Sequence, residues 1–398
     1  NSMKSSIYLI LAASLSIVAA PSSATSGQQI ATGLPTAKPE GTGMDSDRLA
    51  VIDDVVSEGL RRNKMPGCVV MVGHKGRIVF HKAYGHRQLV PEKLPMQPDT
   101  VFDMASLTKP IATATSVMIL VEAGKVELDA PVAKYIPEFA ANGKQDITVR
   151  QLLIHSGGLI PDNSIKDYAD GPKVAFEKVH ALDTYVDPGT KFVYTDVGFI
   201  VLAELVERVS GTNVHEFSQQ KIFGPLKMTE TGYLPPEELK ARAATTQERD
   251  GQPMRGEVHD PRAYALGGIA GHAGLFSTAQ DLSQYAQMMI SGGSLDGAVV
   301  MQPSTMKQMT APVEVSSGLT ALGWDMKSPY STNRGDLFSK AAFGHGGFTG
   351  TAMWIDPPQE LFVIFLSNRV HPDGKGSVNT LAGRIGTLAG AAIIRIAP

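Results

Sequence analysis

The chain has 398 residues, 43% of them hydrophobic, and a formal net charge of -3. This length and apolar fraction are enough for a sizeable core, in one large mixed domain or two smaller ones, and they argue against a disordered chain. The small net charge, without a block of like charges, provides neither the basic stripe that phosphate backbones require nor a polybasic membrane anchor. We therefore expect a small-molecule or cell-wall substrate and no nucleic acid partner.

The N-terminus has the pattern of an export signal. Met3 and Lys4 form a minimal basic region, residues 7–20 are apolar, and Ser22-Ser23-Ala24 provides a cleavage site of small residues. The apolar stretch is shorter than the roughly 20 residues that cross a bilayer. We predict a signal peptide over residues 3–24 and a periplasmic or secreted protein with no membrane span after cleavage. An uncleaved N-terminal anchor is the alternative.

The ordered part of the chain is expected to begin near Ser46. Residues 25–45 are rich in Gly, Pro, Ser and Thr without hydrophobic periodicity, which is typical of a linker. Apolar residues at helical spacing then predict a first helix, capped at Asp45 or Ser46 and stopped by Pro66-Gly67. A hairpin follows, with its turn at His74-Lys75-Gly76.

The middle of the chain is mostly helix and loop, and strands return near its end. Apolar segments with a helical pattern cover 106–123, 149–155 and 199–209. Two late strands and an Ala/Gly-rich terminal helix follow, at 351–355, 361–366 and 378–395. Strands at both ends predict an α+β fold, in which one antiparallel sheet built from distant segments is flanked by terminal helices and carries an inserted, mostly helical subdomain. We place the sheet part at about 46–105 and 320–398, and the helical part at about 106–319, of a single domain that spans 46–398.

The sequence contains one cysteine, Cys68, in an apolar run. No disulfide can therefore form within one chain, and no lipid-attachment cysteine follows the export signal. Cys68 is best interpreted as a small buried hydrophobe.

The first candidate catalytic motif is Ser106-Leu107-Thr108-Lys109. Residues three apart share a helix face, so the hydroxyl and the amine can approach within hydrogen-bonding reach. A serine hydroxyl is a poor nucleophile until a base takes its proton, and Lys109 can serve only if burial lowers its pKa. Free N–H groups at the start of a helix favour a developing oxyanion. Alone, this S-x-x-K pattern of serine acyl-transfer enzymes is weak, because two fixed positions recur by chance.

The second candidate motif is Tyr194-Thr195-Asp196, which follows the turn Asp187-Pro188-Gly189. A tyrosine near a lysine ammonium ionises more easily, so it can act as the base for serine or as the acid for the leaving group. We expect Asp196 to orient Lys109 and to contact a substrate amide. Taken alone, Tyr194 would more simply be a half-buried aromatic residue in a loop.

The third candidate motif is Gly344-His345-Gly346-Gly347-Phe348-Thr349-Gly350, at the start of a predicted strand. Glycines such as Gly346 and Gly347 let the backbone approach a ligand closely, and the Phe348 N–H can pair with that of Ser106 in an oxyanion hole. His345 would supply a hydrogen-bond donor beside the tyrosine. Its alternative interpretation is a turn histidine with a satisfied hydrogen bond.

These three motifs, in this order and at these approximate separations, resemble those of the serine beta-lactamase and penicillin-binding superfamily. The chain is most similar to the branch of class C beta-lactamases, D-alanyl-D-alanine carboxypeptidases and family VIII carboxylesterases, from about Ser46 to the C-terminus. The resemblance implies a beta-lactamase/transpeptidase-like fold and acylation of Ser106, with a tetrahedral intermediate held by the Ser106 and Phe348 amides. It also implies deacylation by a water activated through Tyr194 and Lys109, with no metal or organic cofactor.

Two departures from the family pattern bear on the substrate. Class C beta-lactamases have Tyr-x-Asn where this chain has Asp196, and Lys-Thr-Gly where it has His345-Gly346-Gly347. That lysine helps bind a substrate carboxylate, whereas a histidine is only partly charged near neutral pH. We predict an exported serine hydrolase that cleaves D-alanyl peptide or related cell-wall amide bonds, with at most weak beta-lactamase activity. The alternatives are a family VIII-type esterase of small acyl esters and a catalytically silent penicillin- or peptidoglycan-binding protein.

A glycine-rich segment over residues 257–277 contains two more histidines, His259 and His272. We expect both to line the cleft in a structural role. Metal-ligand spacings such as H-E-x-x-H are absent, so no zinc site is predicted. The G-x-S-x-G elbow of an α/β-hydrolase is also absent from the sequence, which makes that fold a minor alternative.

Overall fold

The computed structural model describes Ser2 and residues 33–394. The predicted signal peptide, residues 3–24, lies outside the described residues, as does the first part of the predicted linker. Residues 33–45, the second part of that linker, instead belong to the fold. They contain a 3₁₀ helix, Pro39–Thr42, and the fully buried Met44. Thr36 bridges Ile78 of the hairpin, whose N–H donates to the Pro35 carbonyl at 2.9 Å, so pairing with a strand orders a segment that has no periodicity of its own.

The α-helices of residues 33–394 are numbered in chain order: α1 (Ser46–Arg61), α2 (Thr115–Glu122), α3 (Val149–Leu153), α4 (Pro172–His180), α5 (Asp196–Ser210), α6 (Val214–Ser218), α7 (Glu237–Arg242), α8 (Pro261–Ala265), α9 (Ala279–Ile290), α10 (Pro303–Thr310) and α11 (Asn379–Ala392). The strands of the same residues are β1 (Gly67–His74), β2 (Arg77–Gln88), β3 (Leu94–Pro95), β4 (Phe102–Asp103), β5 (Gly232–Tyr233), β6 (Thr245–Arg249), β7 (Gln252–Arg255), β8 (Leu275–Ser277), β9 (Ser294–Leu295), β10 (Ala298–Val299), β11 (Val313–Val315), β12 (Gly318–Thr320), β13 (Asp325–Lys327), β14 (Phe343–Gly347), β15 (Thr351–Asp356) and β16 (Leu361–Ser367).

The main sheet has nine strands in the order β11-β12-β13-β14-β15-β16-β1-β2-β3, and the pairs are antiparallel. β1 pairs with β16 from Cys68 opposite Ser367 to His74 opposite Leu361, so strands that are far apart in the sequence are neighbours within the sheet. This confirms the predicted α+β fold. The sheet part resumes at Val313, slightly earlier than predicted, because β11 and β12 extend its edge.

Alternation along β1 distributes its side chains between two cores. Val69 and Met71 belong to the large core that includes the helical part. Cys68, Val70 and Val72 belong to a second core that includes residues of α1 and α11. Because the sheet is covered on both faces, β1 is buried along its whole length.

Several local predictions are confirmed. The Asp45 side chain caps α1 by accepting a hydrogen bond from the Arg48 N–H. The β1–β2 turn has Lys75 and Gly76 at positive φ, 50° and 71°, which suits a two-residue hairpin turn. Within residues 33–394, none of the helices is long and apolar enough to cross a bilayer.

The helix predicted over residues 106–123 is not continuous. It consists of a 3₁₀ turn (Ala105–Leu107), a π-helix (Lys109–Ala114) and then α2. Pro110 has no N–H to donate to an α-helical ladder, and its carbonyl accepts from the Thr115 hydroxyl at 2.9 Å. Wide π turns of this kind are frequent at functional sites, because they change the direction in which side chains point.

Candidate active site

Ser106 lies in a strained turn at the end of β4. Ala105, directly before it, has a φ of 45°, a left-handed conformation that disfavours any residue with a Cβ. The Asp103 carboxylate holds this turn by accepting a hydrogen bond from the Ala105 N–H at 2.8 Å. The turn directs Ser106 into a cavity of about 730 Å³.

Lys109 lies beneath the cavity and contacts Ser106. Its side chain is fully buried, and its Nζ donates to the Ser106 Oγ at 3.0 Å and to the His272 carbonyl at 3.1 Å. The Asp196 Oδ1 is 2.6 Å from the same Nζ. The contact between Ser106 and Lys109 that the sequence spacing predicts is therefore present, and the Asp196 carboxylate pairs with the same ammonium.

The pKa of Lys109 does not meet the condition that a lysine base requires. Burial does act to lower it, but the charges and hydrogen bonds of Asp196 and Tyr194 outweigh burial and hold the pKa above its ordinary value. Conversely, burial acts to raise the pKa of Asp196, and the charges of Lys109 and His272 reverse this. In the resting site Lys109 is an ammonium and Asp196 a carboxylate, so the lysine is not ready to accept a proton.

Tyr194 lies between α3 and α5, and His155 fixes the backbone on both sides of it. The His155 carbonyl accepts from the Val193 N–H at 2.8 Å, and its Nδ1 accepts from the Thr195 N–H at 3.2 Å. The Lys109 Nζ is 4.9 Å from the centre of the Tyr194 ring. Burial raises the pKa of the Tyr194 phenol, and the opposing effects of Lys109 and Ser106 do not reverse this. The phenol is therefore neutral at rest.

The turn between β14 and β15 packs against the residues before Ser106. The Thr349 hydroxyl donates to the Asp103 carbonyl at 2.8 Å, and the Thr351 hydroxyl donates to the Met104 carbonyl at 3.1 Å. A Cβ on Gly347 would be 2.5 Å from the Met104 oxygen, so only glycine permits this close approach. As a result, Phe348 follows a backbone segment that is held beside the nucleophile turn.

His345 differs from its predicted role. Burial, followed by the charge of Lys109, lowers its pKa to about 4, so the ring is neutral rather than partly charged near pH 7. Its Nδ1 is 2.7 Å from the Gly346 carbonyl and must donate to that oxygen. The remaining Nε2 of the neutral ring is an acceptor, so His345 does not supply the donor expected beside Tyr194.

The cavity brings the predicted site residues together. Ser106, Tyr194, Asp196, His345, Gly346, Gly347 and Phe348 line it, and Lys109 contacts Ser106 from below. His259 and His272, expected to line the cleft, do so. The Phe348 side chain is exposed at the rim, where its ring stacks on His259 at 5.6 Å between centroids, and the Arg369 guanidinium carbon is 4.6 Å from the ring centre.

The family model described as Beta-lactamase matches residues 52–386. The chain belongs to the beta-lactamase family. A protein of Bacillus subtilis (strain 168) named N-acetylmuramyl-L-alanine amidase is 31% identical over 361 residues, which are 81% of each chain. A protein of Escherichia coli (strain K12), provisionally named a D-alanyl-D-alanine carboxypeptidase, is 29% identical over 375 residues, 85% of this chain and 86% of that one. The family and the hydrolases among its relatives establish a serine hydrolase.

Solved structures support the beta-lactamase fold. A penicillin-binding protein homologue from Caulobacter crescentus superimposes with a TM-score of 0.70 at 23% identity, over 88% of this chain and 99% of that one. A family VIII carboxylesterase gives a TM-score of 0.69 at 22% identity, again over 88% and 99% of the two chains. At these identities the likeness shows a shared fold and leaves the substrate open.

Sequence reasoning missed much of the charged network around Lys109. The Asp260 Oδ1 is 2.8 Å from the His272 Nε2, and that carboxylate also caps α8. Burial acts to raise the pKa of Asp260, but His272 outweighs burial and holds it well below its ordinary value. Burial and the nearby Asp196 raise the pKa of Asp162, which also lines the cavity. Two sequence signals pointed to this network: the aspartate in place of the asparagine of Tyr-x-Asn, and the glycine-rich segment that contains His272.

Three of these residues have the composition of a metal site. Asp196, Asp260 and His272 each present a ligand atom, and these atoms lie within 4.8 Å of one another. However, Lys109 pairs with Asp196, and the His272 Nε2 contacts Asp260, so each of these candidate ligand groups already has a partner within the protein. The absence of a metal requirement stays a prediction.

Proposed function

We propose that Ser106 is the nucleophile of an acyl-enzyme mechanism that cleaves D-alanyl peptide or related amide bonds of cell-wall type. The observation that carries this proposal is the convergence of three groups on one cavity. The Ser106 Oγ is 3.0 Å from the Lys109 Nζ, and the Tyr194 ring centre is 4.9 Å from that same nitrogen. A hydroxyl, an ammonium and a phenol in this arrangement suit proton transfer coupled to nucleophilic attack.

The raised pKa values of Lys109 and Tyr194 favour a proton relay over a lysine base. As the Ser106 Oγ forms a bond to the substrate carbonyl carbon, its proton moves to the Tyr194 oxygen, and in the same step the phenol's own proton moves to the substrate nitrogen. When the tetrahedral intermediate collapses, the C–N bond breaks and the protonated nitrogen leaves as the amine, while Tyr194 remains a neutral phenol. The Lys109 ammonium stabilises the negative charge that develops on the two oxygens. A water then reverses these steps and frees Ser106 as the acid product leaves.

The oxyanion is proposed to bind the backbone N–H groups of Ser106 and Phe348. Ser106 is in the first turn of a helical segment, where N–H groups lack helical acceptors. The tethers from Thr349 and Thr351 keep the chain after Gly347 close to that turn. Such fixed donors are worth about 2.7–4 kcal/mol each in related acyl transfers.

Two considerations support a cell-wall amide as substrate. The names of two relatives refer to an N-acetylmuramyl-L-alanine amidase and a D-alanyl-D-alanine carboxypeptidase. The cavity volume, about 730 Å³, is sufficient for a peptide of a few residues. The predicted export signal over residues 3–24 would bring the enzyme to such substrates, and we propose a periplasmic or secreted location. The mass of the exported protein tests this, because cleavage after Ala24 gives a mature chain that begins at Thr25.

The neutral His345 favours an esterase as the second candidate function. A substrate carboxylate beside β14 would find no charge on this ring at pH 7, because the pKa of His345 is about 4. Small uncharged acyl esters would not need that charge. A catalytically silent binding protein, the third hypothesis, does not require a serine, a lysine and a tyrosine in hydrogen-bonding contact.

A substrate panel on the purified protein distinguishes these candidates. We expect turnover of a D-alanyl-D-alanine peptide or an N-acetylmuramyl-L-alanine amide, weak hydrolysis of nitrocefin, and an acyl adduct on Ser106 located by mass spectrometry. Ser106→Ala is the matched control and should form no adduct. Turnover of p-nitrophenyl acetate and butyrate without any amide turnover would establish the esterase instead. A Ser106 inert towards all substrates would favour the binding protein.

A further inference from the structure

We propose that Asp103 is a positioning residue, whose carboxylate couples the nucleophile turn to the loop that holds Lys109. Each of its two oxygens accepts one backbone hydrogen bond. Oδ1 accepts from the Ala105 N–H at 2.8 Å, and Oδ2 accepts from the His259 N–H at 2.7 Å. The residue is 3% exposed. Asp103 therefore connects the residue before Ser106 with a segment 156 positions away in the sequence.

The second of these segments reaches Lys109 through the pair Asp260 and His272. Asp260 follows His259, and its Oδ1 is 2.8 Å from the His272 Nε2. The His272 carbonyl in turn accepts from the Lys109 Nζ at 3.1 Å. Lys109 donates to Ser106 at 3.0 Å. These contacts form a closed ring that starts and ends at the nucleophile, and Asp103 is the member that joins its two halves.

The strain in the turn explains why such a link is needed. Ala105 has a left-handed φ of 45°, which costs a non-glycine residue about 1–2 kcal/mol. The hydrogen bond to Asp103 offsets this cost and fixes the direction of the Ser106 side chain. If the bond is lost, the turn can relax, and a displacement of about 1 Å at a reacting atom can reduce the rate about 100-fold. The glycine-rich segment over 257–277, which the proposed chemistry does not use directly, thereby acquires a function.

The titration of Asp103 supports the geometry. Burial, and to a lesser degree the charge of Asp260, raise its pKa to about 6 against the effects of the two N–H donors and Arg249. Protonation turns one acceptor oxygen into a donor, which breaks one of the two links. The wild-type kcat should therefore fall as pH drops through about 6. The groups around this carboxyl that titrate or carry charge are Asp260, Arg249 and His259. If Asp103 is the source of the acid limb, substitution of any of these three should shift the limb but not remove it.

The test is Asp103→Asn, which keeps the shape of the side chain but has one acceptor oxygen for two N–H donors. This inference rests on the proposed function for its readout, which is turnover of the best substrate of the panel. We expect kcat to fall by about 10- to 100-fold with KM changed by less than about threefold. The acid limb near pH 6 should also disappear. Loss of turnover in Ser106→Ala tests the proposed function independently.

Asp281→Asn is the matched control. Asp281 is also a buried carboxylate whose pKa burial raises to about 6, and it accepts from the Glu230 N–H and the Thr231 hydroxyl at 2.8 Å, outside the cavity lining. We expect its kcat to change by less than about twofold. Equal losses of kcat in the two variants would overturn the proposal, because they would reduce it to a general effect of a neutralised buried carboxylate.

A double-mutant cycle distinguishes the ring from a merely structural effect. Asp103→Asn and Asp260→Asn break the same ring, so their effects on kcat should be strongly non-additive, whereas Asp103→Asn and Asp281→Asn should be additive. If Asp103→Asn does not fold, Asp260→Asn alone tests the other half of the ring with the same kcat and KM readouts. Full additivity in the first pair, or an unchanged kcat in Asp260→Asn, would contradict the proposal.

Discussion

Among residues 33–394, two lysines have no exposed surface, Lys109 and Lys144, yet their environments are opposite. Lys144 donates to the backbone carbonyls of Ala141, at 2.6 Å, and Leu182, and burial lowers its pKa against a weaker effect of Asp183. Lys109 also has no exposed surface, but the Asp196 Oδ1 is 2.6 Å from its Nζ and the pKa of Lys109 is raised. Burial alone therefore does not prepare a lysine for catalysis. The nearest carboxylate decides whether it is a base or a fixed positive charge.

The strongest test of this contrast is to remove each ammonium in turn. Lys109→Ala should reduce kcat by about 100-fold or more, because the charge that stabilises the serine and tyrosine oxygens is lost. Lys144→Met should leave kcat within about twofold while it lowers stability by about 1–3 kcal/mol, since two buried carbonyls lose their donor. Steady-state kinetics together with urea unfolding measure both effects. A large loss of kcat in Lys144→Met would mean that the two sites are not separate.

Substitution of Asp196 should give Lys109 an environment more like that of Lys144. Asp196→Asn removes the carboxylate and keeps the shape, so burial should dominate and the pKa of Lys109 should fall. An alkaline limb of the pH–rate profile should then appear at lower pH than in the wild type. The free energy of unfolding at pH 7 should drop by about 3 kcal/mol, because a buried ion pair has lost one partner. A profile and a stability identical to those of the wild type would show that Asp196 does not control Lys109.

The contacts of Lys109 show which features of the site can be predicted from the sequence and which cannot. Residue identity and spacing were sufficient for the contact between Ser106 and Lys109, since i and i+3 share a helix face. They were also sufficient for the sheet, because alternating or continuous apolar strands and their turns are local signals. The pKa direction depends on Asp196, which is 87 residues away in sequence and 2.6 Å away in space. No local pattern fixes such a distance.

Other features missed from the sequence share this cause. Asp103 reads as an ordinary residue at a strand end, and its two hydrogen bonds become visible only when residue 259 is placed beside it. The left-handed Ala105 gives no signal, because alanine normally prefers a right-handed helix. Residues 33–45 were assigned to a linker from composition, yet a strand of the distant hairpin pairs with them.

The two lysines should also affect the pH dependence of the free energy of unfolding in opposite directions. The folded pKa of Lys144 is below the ordinary value of 10.5, so the unfolded chain binds more protons between those two values. Its contribution therefore makes the wild type more stable as pH rises towards 10.5. Lys109 acts in the opposite direction: its contribution is complete below 10.5 and is lost only as pH rises beyond that value. Urea unfolding of the wild type and of Lys144→Met between pH 8 and pH 10 measures this contribution. The wild-type free energy of unfolding minus that of the variant should rise with pH, by less than about 1 kcal/mol. A difference that falls over this range would contradict the lowered pKa.

Removal of divalent metal ions distinguishes a charge network from a metal centre, and it is the change from which we expect the smallest effect. Asp196, Asp260 and His272 could together hold a divalent cation, but in this structure they pair with Lys109 and with one another. If the Lys109 ammonium is the positive charge of the site, prolonged dialysis against EDTA should leave kcat unchanged, and added zinc should not raise it. A divalent metal that competes for Asp196 would instead inhibit the enzyme, because it would displace the Lys109 ammonium from its counter-ion. Loss of activity on chelation with recovery on metal addition would contradict the network. It would then make His272→Ala the decisive variant, since that change removes the nitrogen ligand while Ser106 and Lys109 stay in place.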